Sequence, residues 1–142
     1  MKKNLAIAHT IDYPISFGDC DPAGIVYYPN TYAWFDRAFH YWFRRFGGHE
    51  AICRELGAIG IGVLRARAGF RRPMRDGDNL FLKLFVQDWG RQTLTLSYEG
   101  RVAEDVAVVG TEVRGLFRLS SGAIVAGAIE PLRAIVGGDD EG

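Results

Sequence analysis

The sequence contains few of the residues that metal centres and disulfide frameworks need. It has two cysteines, Cys20 and Cys53, and three histidines, His9, His40 and His49. Their spacing matches neither a CxxC pair nor a set of metal ligands. We therefore expect no metal site and reduced thiols, as in a cytoplasmic protein.

Excess charge and long apolar runs are also missing. Lysine and arginine together number 17, as do aspartate and glutamate, so the formal net charge is zero. A general nucleic-acid binder shows a basic excess, which argues against that class but leaves room for a local basic patch. No apolar run approaches the ~20 residues that span a bilayer, and we expect no membrane segment.

What is present fits one globular domain over residues 1–142. Hydrophobic residues make up 48% of the chain and charged residues 24%, which is typical of an ordinary folded protein. No repeat or linker divides the chain. The glycine-rich acidic end, residues 137–142, is predicted to be a frayed tail. The basic and then apolar start is too short for a signal peptide and is interpreted as the approach to a first strand.

Hydrophobic periodicity predicts a strand, a helical region and then a series of strands. Short turns between the later strands favour an antiparallel meander. Pro14 cannot donate to a strand ladder, so the first strand belongs at an edge or a bulge. The predicted strands cover residues 8–17, 59–72, 79–88, 92–102, 106–119 and 123–129; a loop covers 18–29, a long helix 30–46 and a short helix 49–56.

The long helix carries apolar residues around most of its circumference, and only a stripe near Arg37, His40 and Arg44 is plainly polar. A helix of this kind is buried, so the sheet should curl around it. A curled sheet still has edge strands and an outer face to cover. We therefore expect the protein to self-associate as a homodimer or homotetramer.

The loop and helix entry read GDCDPAGIVYYPN at residues 18–30, and this motif resembles the signature of the 4-hydroxybenzoyl-CoA thioesterase family. Supporting matches are the Trp-Phe-Asp triplet at 34–36, the proline, Gly-Asp and leucine pattern over 73–80, and Trp89. The resemblance spans about residues 10 to 135. It implies an α+β hot-dog fold, in which five (or six) antiparallel strands wrap one long central helix, as the periodicity predicts independently.

The resemblance implies that Asp21 is the catalytic carboxylate and that the backbone amide of Tyr28 polarises the thioester carbonyl. The chemistry agrees, because a carboxylate can attack a thioester or activate water, and helix N-termini carry free N–H donors. Taken alone, an Asp-Pro pair such as Asp21-Pro22 is more typical of a structural turn than of a catalytic site. Asp19 is interpreted as a residue that organises the loop.

Three further residues are assigned to substrate binding. The resemblance implies that Asp36 faces the acyl pocket, although an ion pair with Arg37 or Arg71 explains it equally well. Ile61 is predicted to border the acyl pocket and hints at a less polar acyl group. Arg91, in the turn after Trp89, is the one cation left there to bind CoA phosphates. The arginines at positions 65, 67, 71, 72 and 75 could supply the others, or they could simply line a solvated strand or a subunit contact.

The sequence therefore predicts an acyl-CoA thioesterase acting on an aromatic or medium-sized acyl group, without a cofactor because CoA is part of the substrate. Two alternatives stay open. One is a non-catalytic module that binds acyl-CoA or acyl-carrier thioesters. The other is a hot-dog dehydratase, which is disfavoured because that chemistry normally uses a histidine in a loop that here has none.

Overall fold

The computed structural model describes residues 5–137 and contains a six-stranded antiparallel sheet with helices on one side of it. The residues outside this range include Met1–Asn4 and most of the predicted tail, 138–142. The strands are β1 (Ile7–Pro14), β2 (Gly60–Phe70), β3 (Asn79–Trp89), β4 (Thr93–Val102), β5 (Asp105–Ser120) and β6 (Ala123–Gly127); the helices are α1 (Pro29–Arg44), α2 (His49–Leu56) and α3 (Glu130–Val136).

The sheet order is β1-β3-β4-β5-β2, and β6 pairs with β5. β3, β4, β5 and β6 form the predicted meander. The meander prediction is wrong for β2, which pairs with β5 at the far edge and not with β3. The connection over residues 71–78 is long enough to cross, and it is held to the start of β5 because the backbone N–H of Arg71 donates to the carbonyl of Ala107 at 2.8 Å.

The strand β1 occupies the opposite edge, with Pro14 at its last position facing Asn79. This confirms the edge prediction from Pro14. Most predicted boundaries lie within about three residues of the observed ones, and those of α2 agree at both ends. Helix α3 was not predicted. Its signals are Pro131 in the first turn and Gly137 at the end, where φ is +73°.

Helix α1 packs on the inward face of the sheet, against β1, β2 and β3. The alternating inward residues of β3 and β4, such as Leu82 and Leu96, are fully buried. Seven α1 side chains are buried, which explains why its sequence is so aromatic: Thr31, Trp34, Phe35, Ala38, Phe39, Trp42 and Phe43. Helix α1 ends at Arg44, two residues before the predicted end at Phe46. The predicted glycines, Gly47 and Gly48, follow in the turn with positive φ, and the N–H of Gly48 donates to the carbonyl of Phe43.

Arg37 and Arg44, which belong to the predicted polar stripe of α1, are exposed together with Ala33, so this chain alone leaves one face of the helix open. Two shorter helices, α2 and α3, add cover on the same side and contact one another. The overall arrangement is the predicted hot-dog fold, a curled antiparallel sheet with a helix against its inward face. Within residues 5–137, no helix is long and apolar enough to cross a membrane.

Candidate active site

The loop before α1 folds back on itself as a small hairpin. The N–H of Asp21 donates to the carbonyl of Ile25 and the N–H of Tyr27 donates to that of Asp19, both at 2.9 Å. Between them, Cys20 and Val26 form an antiparallel bridge. This pairing fixes the two arms of the hairpin side by side, with Asp19 beside Tyr27 next to the start of α1 and Asp21 beside Ile25 at the tip.

Asp19 holds the hairpin together. Its carboxylate accepts the backbone N–H of Ser16 at 3.0 Å, and its carbonyl accepts the side-chain amide of Asn30 at 2.8 Å. The prediction that Asp19 organises the loop is confirmed. Asn30 belongs to the first turn of α1, so its bond to Asp19 connects the hairpin to the helix entry.

Asp21 is half-buried at the tip of the hairpin. Its Oδ1 accepts the backbone N–H of Ala23 at 2.9 Å, and the N–H of Gly24 donates to its carbonyl at 2.8 Å. Asp21 therefore caps a turn. Among the residues that the structure describes, its Oδ2 has no hydrogen-bond partner. One oxygen orients the carboxylate and the other stays available.

Tyr28 is the N-cap residue directly before α1, with φ −57° and ψ −33°. Pro29 follows and has no N–H, while the N–H groups of Asn30 and Thr31 donate to the carbonyls of Tyr27 and Tyr28. Within the described residues, no backbone carbonyl accepts the N–H of Tyr28. A free amide at the positive end of a helix is suited to hold a developing negative charge.

Asp36 lies two turns further along α1 and is paired with Arg114, an arginine that is distant in sequence. Its Oδ1 accepts Nη2 of Arg114 at 2.9 Å and lies 3.5 Å from Nε2 of His40. The two predicted partners, Arg37 and Arg71, make no ion pair with Asp36 in the described structure. Asp36 does form an ion pair, but with Arg114 of β5 and not with either predicted partner. The Asp36 side chain is 51% exposed.

Behind Asp36 lies a polar cluster in the inward face of the sheet. Nε of Arg114 donates to Oε1 of Glu112 at 2.9 Å, and the hydroxyl of Tyr98 donates to the same oxygen at 2.7 Å. Glu112 and Arg114 are 2% and 1% exposed. A signal was available in the sequence, because Glu112 and Arg114 stand at alternate positions between Val108 and Leu116, all of which face the core.

Ile61 is buried near the start of β2, with 3% of its surface exposed. Its N–H donates to Nε2 of His49 at 3.2 Å, and Sγ of Cys53 lies 3.7 Å from that nitrogen. Burial raises the pKa of the Cys53 thiol, which makes it a poor nucleophile at neutral pH. The role of Ile61 in an acyl pocket stays a prediction.

Arg91 lies far from Asp21 within one chain. The N–H of Ile15 donates to the carbonyl of Asp78 beside the first residue of β3, so that end of the strand adjoins the loop. From there β3 runs to Trp89, a distance of about 33 Å for ten steps of 3.3 Å. Arg91 is exposed in the turn that follows.

A different group of arginines lies next to the loop. The N–H of Val26 donates to the carbonyl of Met74 at 2.8 Å, which attaches the hairpin to the β2–β3 connection. Arg71 and Arg75, on either side of Met74, are exposed, and the described residues offer neither of them an ion pair. Arg72 is paired with Asp105.

Sequence comparison shows which known proteins this chain resembles. The family model described as thioesterase superfamily matches residues 23–109, which is more than half of the chain. The chain is 32% identical over 91 residues to the 4-hydroxybenzoyl-CoA thioesterase of Pseudomonas sp. (strain CBS-3), covering 63% of this chain and 64% of that protein. It is 32% identical over 85 residues to the 1,4-dihydroxy-2-naphthoyl-CoA hydrolase of Trichodesmium erythraeum (strain IMS101), covering 60% and 62%.

These matches therefore span slightly less than two thirds of the relatives' own length. Solved structures show the same fold over a larger share of the chain. The 4-hydroxybenzoyl-CoA thioesterase structure from Pseudomonas sp. strain CBS-3 has a TM-score of 0.77 at 24% identity, covering 87% of this chain and 96% of that one. A 1,4-dihydroxy-2-naphthoyl-CoA thioesterase from Synechocystis has a TM-score of 0.78 at 18% identity, covering 94% and 98%.

Proposed function

Because the chain belongs to the thioesterase superfamily, we propose that it is an enzyme that hydrolyses an acyl-CoA thioester to a free acid and CoA. The observation that carries this proposal is the loop hairpin. Among the described residues, Oδ2 of Asp21 at the hairpin tip has no hydrogen-bond partner, and neither has the amide of Tyr28, where the hairpin leads into α1. A nucleophile or base and an oxyanion donor are the two groups that acyl transfer needs.

In the proposed reaction, Asp21 acts on the thioester carbonyl carbon. By direct attack, its carboxylate forms a mixed anhydride and expels CoA as the thiolate, and water then hydrolyses the anhydride to regenerate the carboxylate. By the alternative route, Asp21 takes a proton from water as that water attacks the carbonyl carbon, and the tetrahedral intermediate then breaks its C–S bond to give the acid and the CoA thiolate. In both routes the carbonyl oxygen gains negative charge, which the Tyr28 N–H and the α1 dipole stabilise.

We propose a hydroxylated aromatic acyl group as the substrate class. Two kinds of relative support it, since one is named for 4-hydroxybenzoyl-CoA and the other for 1,4-dihydroxy-2-naphthoyl-CoA. Asp36 lies on the same helix as Tyr28, about 12 Å away for eight residues of α-helix. That separation leaves room for an aromatic ring between the reacting carbon and the carboxylate that we assign to the far end of the acyl group.

For the CoA phosphates, the arrangement favours Arg71 and Arg75 over Arg91 within one protomer. Both flank Met74, whose carbonyl is bonded to the catalytic loop, whereas Arg91 lies at the other end of β3. Exposed guanidinium groups bind phosphate through paired donors. Arg91 keeps its assigned role only if a partner subunit brings it to the site.

The enzymatic proposal is tested with Asp21→Asn, measuring CoA release with a thiol reagent over hydroxybenzoyl, dihydroxynaphthoyl, benzoyl and straight-chain acyl-CoA esters. We expect turnover to be abolished while the fold and acyl-CoA affinity are kept. The matched control is Asp19→Asn in the same loop, which retains an oxygen to accept the N–H of Ser16 and should keep most activity. Near-normal turnover by the Asp21→Asn variant would exclude this assignment.

The same assay separates the alternatives. A non-catalytic binding module would bind acyl-CoA and release no CoA, even as the unmodified protein. A dehydratase would leave the thioester intact and change the acyl chain. No observation favours the dehydratase, since His40 and His49 lie with their rings 5.3 Å apart on α1 and α2, outside the loop.

We also propose that the protein is a homodimer that pairs through the free edge of β2. This strand pairs with β5 on one side, and no described strand occupies its other side. Val63, Leu64 and Phe70 are exposed apolar residues of this strand, with 46–55% of their surfaces accessible. A long edge of this kind usually pairs or is covered, and the same edge of a second copy can pair with it antiparallel.

Sedimentation equilibrium tests the dimer. We expect the double variant Val63→Lys/Leu64→Lys to be monomeric at micromolar concentration, because four lysines would meet at the symmetric contact. The matched control is Ile124→Lys in the β5–β6 hairpin, also an exposed apolar residue, at 65%. That variant should remain dimeric, and if it alone became monomeric the contact would lie at the hairpin. The homotetramer stays a prediction.

A further inference from the structure

Four side chains form a polar cluster between α1 and the inward face of the sheet, and we call it the Arg114 cluster: Asp36, Tyr98, Glu112 and Arg114. Arg114 is held on three sides. Its Nε donates to Glu112 and its Nη2 donates to Asp36, both at 2.9 Å, and its guanidinium carbon lies 3.8 Å from the centre of the Phe39 ring.

The second layer of the cluster is equally fixed. The Tyr98 hydroxyl donates to the Glu112 oxygen that Arg114 also uses, and the Tyr98 ring stacks on Phe35 at 4.3 Å between ring centres with an interplanar angle of 8°. Tyr98 is 2% exposed. Each buried member therefore has a defined position, and no rotation of Arg114 is possible without breaking a charged hydrogen bond.

Burying charged side chains in this cluster carries a desolvation penalty that apolar core residues would not have. Moving a charge out of water costs several kcal/mol per ion, and apolar residues of similar volume often serve stability as well or better. The neighbouring inward positions of β5, Val108 and Leu116, are apolar and fully buried. The fold itself therefore does not require a glutamate and an arginine between Val108 and Leu116. We look for their role in the group that the cluster exposes to solvent.

At the surface, the cluster ends in Asp36. Arg114 occupies its Oδ1, while Oδ2 has no hydrogen-bond partner among the described residues, and half of the side chain is exposed. Two carboxylates and one guanidinium give the cluster a formal charge of −1. The surplus negative charge can face solvent only at Asp36, because Glu112 is buried. A fixed acceptor with surplus negative charge binds hydrogen-bond donors and repels anions.

We infer that Arg114, held by Glu112 and Tyr98, is a positioning residue that fixes Asp36 as the acceptor for a hydroxyl on the acyl group. This inference rests on the proposed thioesterase function and adds its specificity device. The selectivity comes from geometry set inside the core, because a freely rotating aspartate would be hydrated and would discriminate less. Acyl groups with a hydroxyl are favoured over unsubstituted ones, and acyl groups that end in a carboxylate are disfavoured.

The test compares kcat/KM for two matched substrate pairs, 4-hydroxybenzoyl-CoA with benzoyl-CoA and 1,4-dihydroxy-2-naphthoyl-CoA with 2-naphthoyl-CoA. The main variant is Arg114→Met/Glu112→Gln, which removes both buried charges together and keeps a partner for Tyr98. We expect kcat/KM for the hydroxylated esters to fall by about 10-fold or more, as for a lost hydrogen bond to a charged group. The kcat/KM values for the unsubstituted esters should stay within about 3-fold, so the ratio of kcat/KM between hydroxylated and unsubstituted esters should decrease.

Arg114→Lys keeps a buried cation and provides a second test of the selectivity ratio if the double variant does not fold. One ammonium group cannot hold Glu112 and Asp36 in the guanidinium geometry, so we expect a ratio between those of the unmodified protein and the double variant. An equal loss on both members of each pair, or an unchanged ratio with a lower Tm, would reduce the cluster to a structural role and overturn the inference. So would an unmodified protein without hydroxyl preference. Absence of CoA release from every ester would instead overturn the proposed function.

Discussion

Gly110 lies directly beneath the ring of Phe35. A Cβ atom at position 110 would stand 2.2 Å from Cε2 and 2.5 Å from Cζ of that ring, and 3.2 Å from the carbonyl oxygen of Arg67. Phe35 is completely buried and stacks on Tyr98. Because Gly110 has no side chain, the sheet leaves space there for the ring of Phe35 from α1.

Gly110→Ala should destabilise the protein by about 1–3 kcal/mol, the usual cost of overpacking a core. The ring of Phe35 has Tyr98 on one face, so it cannot move aside without losing that stack. The matched control is Gly69→Ala on the adjoining strand, where a Cβ would lie 3.5 Å from Val109 in ordinary contact. Urea denaturation should show a loss only for Gly110→Ala. Equal stability of both variants would mean that the helix shifts freely on the sheet.

The Gly110 contact also illustrates what sequence patterns can and cannot predict here. Sequence patterns predict β5 and the aromatic helix correctly, because each pattern reports on one element at a time. The contact between Gly110 and Phe35 depends on how two elements meet, and no periodicity contains that information. The same limit explains β2, whose pattern predicted a strand but not its pairing with β5.

In the candidate site too, local contacts could be predicted from the sequence and long-range contacts could not. The loop motif indicates Asp19 as scaffold and Asp21 and Tyr28 as candidate catalytic residues, because all three lie within one short segment whose backbone hydrogen bonds are local. The ion pair of Asp36 could not be assigned, since Arg114 is 78 residues away. Choosing it over Arg37 or Arg71 requires the register of β5 beneath α1. Only the alternation of Glu112 and Arg114 among core residues hinted at a charged core.

Tyr28 offers a direct test of a backbone amide in catalysis. Its φ of −57° is one that proline adopts, so Tyr28→Pro can remove the N–H at the helix start without forcing the helix to unwind. We expect kcat to fall by about 10²–10³-fold, the loss seen when one oxyanion donor is removed. Thermal unfolding should confirm that the variant is folded.

The matched variant is Tyr28→Ala, which removes the ring and keeps the N–H. The ring is 61% exposed, and its aromatic contact is with the neighbouring Tyr27. We therefore expect activity within about 3-fold of the unmodified protein, the range of surface substitutions. A large loss with alanine would assign the effect to the side chain, and full activity with proline would remove the amide from the mechanism.

His40 makes the stability of the fold depend on pH. Burial, the largest influence, lowers its pKa below the ordinary histidine value of 6.5; Arg114, His49 and Arg44 lower it further, and Asp36 opposes them. Since the folded state favours neutral His40, its contribution to stability is complete above pH 6.5. That contribution is lost as the pH falls from 6.5 through the lower pKa of the folded state.

The free energy of unfolding should therefore be smaller at pH 5.5 than at pH 7.5, measured by urea denaturation. In His40→Gln, which cannot take up the proton, the decrease should be smaller. The decrease should not vanish, because burial also lowers the pKa of His9. Protonation of His9 therefore also lowers the free energy of unfolding as the pH falls. His9→Gln provides the comparison, and combining both substitutions should flatten the profile most. If His40→Gln left the decrease unchanged, protonation of His40 would already be tolerated in the folded state through its contact with Asp36, 3.5 Å away.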